Sequence, residues 1–113
     1  DAFTVGASSS LLEECKKNTN DDTILSLLKM GCDVNVRDED GSTPLMIACE
    51  NKNATIIKEL IKIGAKEEIE DKKGMTALKI LENKNDNLLM NIYLDAIEER
   101  KKGYAFKFGG LNL

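Results

Sequence analysis

The feature that most restricts how this chain can fold is a repeat of 33 residues. Shifting the sequence by that distance lays Gly31 on Gly64, Gly41 on Gly74, Asp38 on Asp71 and Thr43 on Thr76. Four apolar columns keep the same period: Leu12, Leu45 and Leu78; Ile24, Ile57 and Met90; Leu27, Leu60 and Tyr93; Leu28, Ile61 and Leu94. A chain of 113 residues, 42% hydrophobic, has room for one domain assembled from three such units.

Each unit reads as two short helices. In the middle one, Thr43 suits an N-cap and Pro44 the first helical position, where no backbone donor is needed. Leu45, Ala48 and Cys49 then follow the i, i+3, i+4 spacing of one buried stripe. A second start recurs at Asn20, Asn53 and Asp86, after which Ile56, Ile57, Leu60 and Ile61 again keep helical spacing. Gly64 is placed to end that helix with a left-handed cap. The connection from Gly31 to Gly41 alternates apolar residues and then turns through acidic ones, which suits an extended arm and a tight turn. No helix pair can hide its own apolar stripe, so neighbouring pairs must stack.

Composition narrows the chemistry. The net charge is −4, which argues against a nucleic-acid or anionic-membrane surface. No apolar run approaches the roughly 18–20 residues needed to cross a bilayer. No charged-then-apolar stretch reads as a signal peptide, and the start at Asp1 is what a processed or trimmed product would show. Histidine is absent, which removes the commonest general base and zinc ligand. Cys15, Cys32 and Cys49 are odd in number and form no C-x-x-C pair, so they read as small buried hydrophobes, reduced in a cytoplasmic or nuclear setting. No phosphate-cradling glycine motif occurs, Gly109-Gly110 having no helix after it. The carboxylates at Glu39-Asp40 and Glu67–Asp71 lack the ligand spacing of a calcium loop and read as solvated turn charges. The expectation is a chain with no catalytic residue, no metal site and no cofactor.

The run Gly41-Ser42-Thr43-Pro44-Leu45-Met46-Ile47-Ala48-Cys49 resembles the ankyrin-repeat pattern G-x-T-P-L-H-x-A-A, and Gly31-Cys32-Asp33-Val34-Asn35 resembles the G-A-D-V-N link of that family. The likeness covers residues 8–102. It implies an all-α, ankyrin-type helix-turn-helix repeat solenoid with short projecting β-hairpin turns, used to bind other proteins. Glu13, Met46 and Lys79 stand where the family has His, and Lys52 and Asn85 where it often has an inter-helix Gly. A Ser10–Glu13 capping box is the expected substitute at the first helix start. Lys52 in a left-handed conformation would cost on the order of 1 kcal/mol.

Repeat units are expected at 8–40, 41–73 and 74–102, between an N-terminal tail (1–7) and an aromatic, Gly-rich C-terminal tail (103–113). The outer two read as caps: Glu14 replaces the Ile47 and Ile80 of later units, and Ile97 replaces a column Gly, extending the last helix to a stop at Gly103. Beyond it Tyr104, Phe106 and Phe108 alternate as on an extended segment, which could fold back or dock on another chain.

As the resemblance implies, recognition falls to the turn tips and the outward face of each first helix. The tips contribute Arg37, Glu39, Asp40 and Ser42, then Glu70, Lys72, Lys73 and Met75. The helices contribute Met46, Glu50 and Asn51, then Lys79, Asn83 and Lys84. Acidic residues crowd the central unit and lysines the next, which suits a partner of bipolar charge, with Met46 and Met75 at the contact core. The reading is therefore a non-catalytic protein-binding adaptor. Its alternatives are a homodimer made through the C-terminal tail, and the repeat portion of a larger enzyme or effector.

Overall fold

Helices in this chain start where a side chain can accept from an exposed backbone N–H. In the computed structural model, which describes residues 2–17, 20–31 and 33–108 and the side chains of those from 10 to 102, Thr43 Oγ1 accepts from Met46 N and Thr76 Oγ1 from Lys79 N, both at 3.3 Å. Asn53 Oδ1 accepts from Ile56 N at 3.2 Å and Asp86 Oδ1 from Leu89 N at 3.0 Å. Among the described residues the helices are α1 (Ala2–Lys17), α2 (Asp21–Lys29), α3 (Pro44–Glu50), α4 (Ala54–Lys62), α5 (Ala77–Lys84) and α6 (Asn87–Phe108). No strand occurs among the described residues.

The turns obey the same local chemistry. Gly31 and Gly64 follow α2 and α4 with φ of 79° and 100°, the left-handed caps the glycine column foretells. Between paired helices, Lys52 (φ 56°) and Asn85 (φ 54°) take the left-handed conformation without being glycine. Asn tolerates it, whereas Lys52 carries a cost on the order of 1 kcal/mol.

Successive helices pair as α1/α2, α3/α4 and α5/α6, and the pairs stack. One layer holds α1, α3 and α5; the other holds α2, α4 and α6. The core lies between layers and between pairs, with Leu45, Cys49, Ile56, Ile57, Leu60, Ile61 and Leu81 fully buried. Burial along two of the 33-residue columns follows position in the stack. Leu45 and Ile61 of the middle unit are buried, while their counterparts Leu78 and Leu94 are exposed because no pair follows theirs. Leu12 is half-buried at the other end. The column is continuous, but only its centre is covered on both sides.

Three expectations about the ends change. α1 begins at Ala2 rather than at the expected unit boundary, so Ser10 lies inside a helix and forms no capping box with Glu13. The Gly and Pro that set the start of α3 have no counterpart there, and isolated Gly6 and serines only weaken a helix. At the other end α6 passes through Gly103 to Phe108, replacing the extended tail. A glycine costs about 1 kcal/mol in a helix interior and does not stop one unless the next residues satisfy its carbonyls. The side chains of Tyr104, Phe106 and Phe108, and all of Cys32 and residues 109–113, lie outside what is described. Cys15 and Cys49 lie buried in the core as thiols, and burial pushes Cys49 up to about 12.

Candidate functional site

The two described turn tips are built alike. Asp38 N donates to Ser42 O and Gly41 N to Asp38 O, both at 3.0 Å, and Asp71 N to Met75 O (2.9 Å) and Gly74 N to Asp71 O (3.0 Å), so each tip is a small hairpin closed by two backbone hydrogen bonds. The aspartate side chain then holds the turn from within. Asp38 Oδ1 accepts from Asp40 N (2.9 Å) and Ser42 N (2.8 Å), and Asp71 Oδ1 from Lys73 N (2.8 Å) and Met75 N (2.9 Å). Burial alone would push the Asp38 carboxyl up, but those N–H groups and the Lys16 ammonium, 3.1 Å from Oδ2, hold it below the ordinary value of 3.8. The Lys16 ammonium is raised in turn, chiefly by that contact with Asp38.

Adjacent tips are tied together. Lys72 N donates to Asp40 O at 3.0 Å, Arg37 Nη2 to Glu70 O at 2.6 Å, and Arg37 Nε to Gly41 O at 3.1 Å. Lys66 N donates to Asn35 Oδ1 at 2.9 Å. The tips therefore stand as a braced row, a firmer platform than separate loops.

Where the second tip meets α3 and α5, a groove of about 350 Å³ opens, lined by Ser42, Met46, Ile47, Glu50, Asp71, Lys73, Met75 and Ile80. It brings together five of the residues expected from sequence: Ser42, Met46, Glu50, Lys73 and Met75. Met46, expected on the outer surface, is buried and forms floor instead, because helices flank it on both sides. Met75 is half-buried at the edge, and Lys73 is exposed at the rim.

The other expected residues sit elsewhere. Glu39, Asp40, Glu70 and Lys72 are exposed along the outer line of the tips, and Asn83 is exposed on α5. Arg37 is a brace through both guanidinium contacts, and Asn51 Nδ2 donates to Cys15 O at 2.7 Å, joining α3 to the end of α1. Lys79 Nζ donates to Gly74 O at 3.2 Å. Lys84 pairs with Glu50 at 3.0 Å, so part of the acidic-to-basic contrast along the units is closed internally.

Ile47, Asp71 and Ile80 were missed. The isoleucines share a column that reads as core, and Asp71 reads as a turn former; only their convergence with Met75 makes a groove. A second depression, about 490 Å³ between α4 and α6, is lined by Lys58, Glu59, Lys62, Ala96, Glu99 and Arg100. Nothing in the sequence distinguishes these from solvated helix charges. Among the described residues, no helix is long and apolar enough to cross a membrane.

A family model of ankyrin repeats matches residues 11–91 in three copies. A comparison with curated proteins found no match.

Proposed function

Because this chain belongs to the ankyrin-repeat family, we propose that it is a non-catalytic module that binds a protein partner along its turn tips and the adjoining face of α3 and α5. Ankyrin repeats are generally protein–protein interaction modules. The observation that carries the finer reading is the groove between the second tip and α3/α5. It pairs an apolar floor of Met46, Ile47 and Ile80 with a flexible edge at Met75 and a charged rim at Glu50 and Lys73. Such a surface takes an apolar side chain of the partner, with charge around it to set orientation. The exposed Glu39, Asp40, Glu70, Lys72 and Lys73 extend the surface along the tips and steer association. The same proposal puts the chain in the cytoplasm or nucleus, on the ground that cysteines buried as thiols suit a reducing compartment.

The test is association kinetics with a protein recovered from native extract on the intact chain. Reversing Lys72 and Lys73 to Glu is expected to slow association and change its salt dependence, and Met75→Glu to speed dissociation. A partner whose rates ignore both changes and ignore salt binds elsewhere, and the reading then fails. Turnover of a substrate by the purified chain would overturn its non-catalytic part.

A further inference from the structure

We propose that the exposed end of the third helix pair is a dimer interface, meeting the same face of a second copy. The surface is a continuation of the stacking interface already present inside the chain. Leu45 is 1% exposed and Ile61 0%, because α5 and α6 cover them; at the same column positions Leu78 is 38% and Leu94 47% exposed. Half-buried Met90 and Ile97 lie on α6 at a spacing that puts them in line with Leu94. The end of the stack thus presents the kind of apolar surface that the middle pair buries.

The helix that carries it is unlike its counterparts. α2 and α4 have 9 residues each and α6 has 22, roughly 33 Å against roughly 13 Å, so α6 runs well past the pair it packs on. Met90, Leu94, Ile97 and Lys101 are spaced 4, 3 and 4 residues apart, the seam spacing of a coiled coil with one polar position. The backbone is helical throughout that stretch.

The choice of a second copy rests on charge. Exposed Lys79 and Glu82 lie one turn apart on α5, beside Leu78. A two-fold axis lays α5 antiparallel to its mate and sets each Lys79 opposite the other Glu82, so the face complements itself. Head-to-tail stacking is opposed by the other end. There Glu14 and Thr23 occupy the columns filled by Ile47 and Ile56 in the middle unit, so that end is more polar than a face that receives a preceding pair. Face-to-face pairing also closes at two, whereas head-to-tail contact continues into a filament.

Sedimentation equilibrium and light scattering of the full chain test this across a dilution series. The expected result is a reversible dimer that Leu94→Glu weakens by at least about tenfold, with circular dichroism and melting of the monomer unchanged because Leu94 is exposed. Lys79→Glu should weaken the dimer, and adding Glu82→Lys should restore it. A monomer at every concentration overturns the proposal, as does a dimer indifferent to Leu94→Glu. Failure of the double variant to restore pairing, or mass rising past two chains, overturns the two-fold arrangement that defines it.

Discussion

Arg100 on α6 donates through Nη1 to the carbonyl oxygen of Ile61, at 3.1 Å, near the end of α4. The same nitrogen donates to Ala65 O at 3.3 Å, and Nη2 pairs with Glu67 Oε1 at 3.0 Å. A cation is thus placed where helix carbonyls lack intrahelical partners and the helix dipole is negative. Hydrogen bonds to a charged group are worth about 1.5–3 kcal/mol each before losses. Arg100→Met, which keeps the apolar stem, should lower stability by about 2 kcal/mol, read as a lower urea midpoint with unchanged slope. Arg100→Lys should recover only part of it, since an ammonium cannot reproduce the planar fork. Equal stability of all three would mean the contact contributes nothing.

Two glycines of one column should respond differently to alanine. Gly41 (φ 80°) and Gly74 (φ 79°) share a left-handed backbone that costs an alanine about 1 kcal/mol. A Cβ on Gly74 meets nothing within 4 Å, whereas on Gly41 it would lie 2.9 Å from Arg37 Nη2, 3.1 Å from Lys72 N and 3.3 Å from Asp71 Cα. The arginine can swing away, but the last two are backbone of the next tip. Gly41→Ala should therefore cost about 1 kcal/mol more than Gly74→Ala. It should also raise amide exchange at Lys72, whose N–H bonds to Asp40 O. Matched losses would show that the tips are not packed as described.

The parts of this fold legible in the sequence are those set by local chemistry. Thr43, Thr76, Asn53 and Asp86 cap helices because an oxygen three residues before a free N–H does so in any context. Left-handed Lys52 and Asn85 could be read by column, since the turn between paired helices has one geometry. What depended on non-local packing was harder to see. Met46 reads as a surface residue until α1 and α5 are known to flank α3. Arg37 reads as an available cation, yet its partner Glu70 O lies one whole unit away. The groove needed Ile47 and Ile80, which the columns assign to the core. α1 and α6 extend beyond the boundaries the sequence suggests because Ser10 and Gly103 favour boundaries without enforcing them.

Asp38 gives the fold a defined sensitivity to acid. Its folded carboxyl sits below the ordinary 3.8, so the unfolded chain takes up the proton more readily. Its contribution is complete above that ordinary value and disappears as pH falls through the lower folded one. Lys16, raised above 10.5, contributes fully below that value and loses its share as pH climbs through the higher folded one. Asp38→Asn keeps an oxygen for the N–H groups of Asp40 and Ser42 while deleting the charge that faces Lys16. The variant should be less stable at neutral pH and lose less stability than the parent on acidification below about pH 4. Parallel stability-versus-pH curves for the two proteins would contradict this.

Tyr93 sits in the core of the last pair, 1% exposed, and its hydroxyl has no hydrogen-bond partner among the described residues. Burial raises this phenol above the usual tyrosine range, as expected of a group removed from water. Its ring fills the column that Leu27 and Leu60 occupy in the earlier units, so the packing belongs to the ring and the oxygen is the uncompensated part. Leaving a buried polar group unpaired costs about 1–3 kcal/mol. Tyr93→Phe keeps the ring and removes that cost, and should raise stability by about 1 kcal/mol; Tyr93→Ala should lose about 3–5 kcal/mol by opening a cavity. Thermal melts of the three proteins decide it. A phenylalanine variant that melts below the parent would mean that the hydroxyl is satisfied in solution, by a trapped water or by a partner.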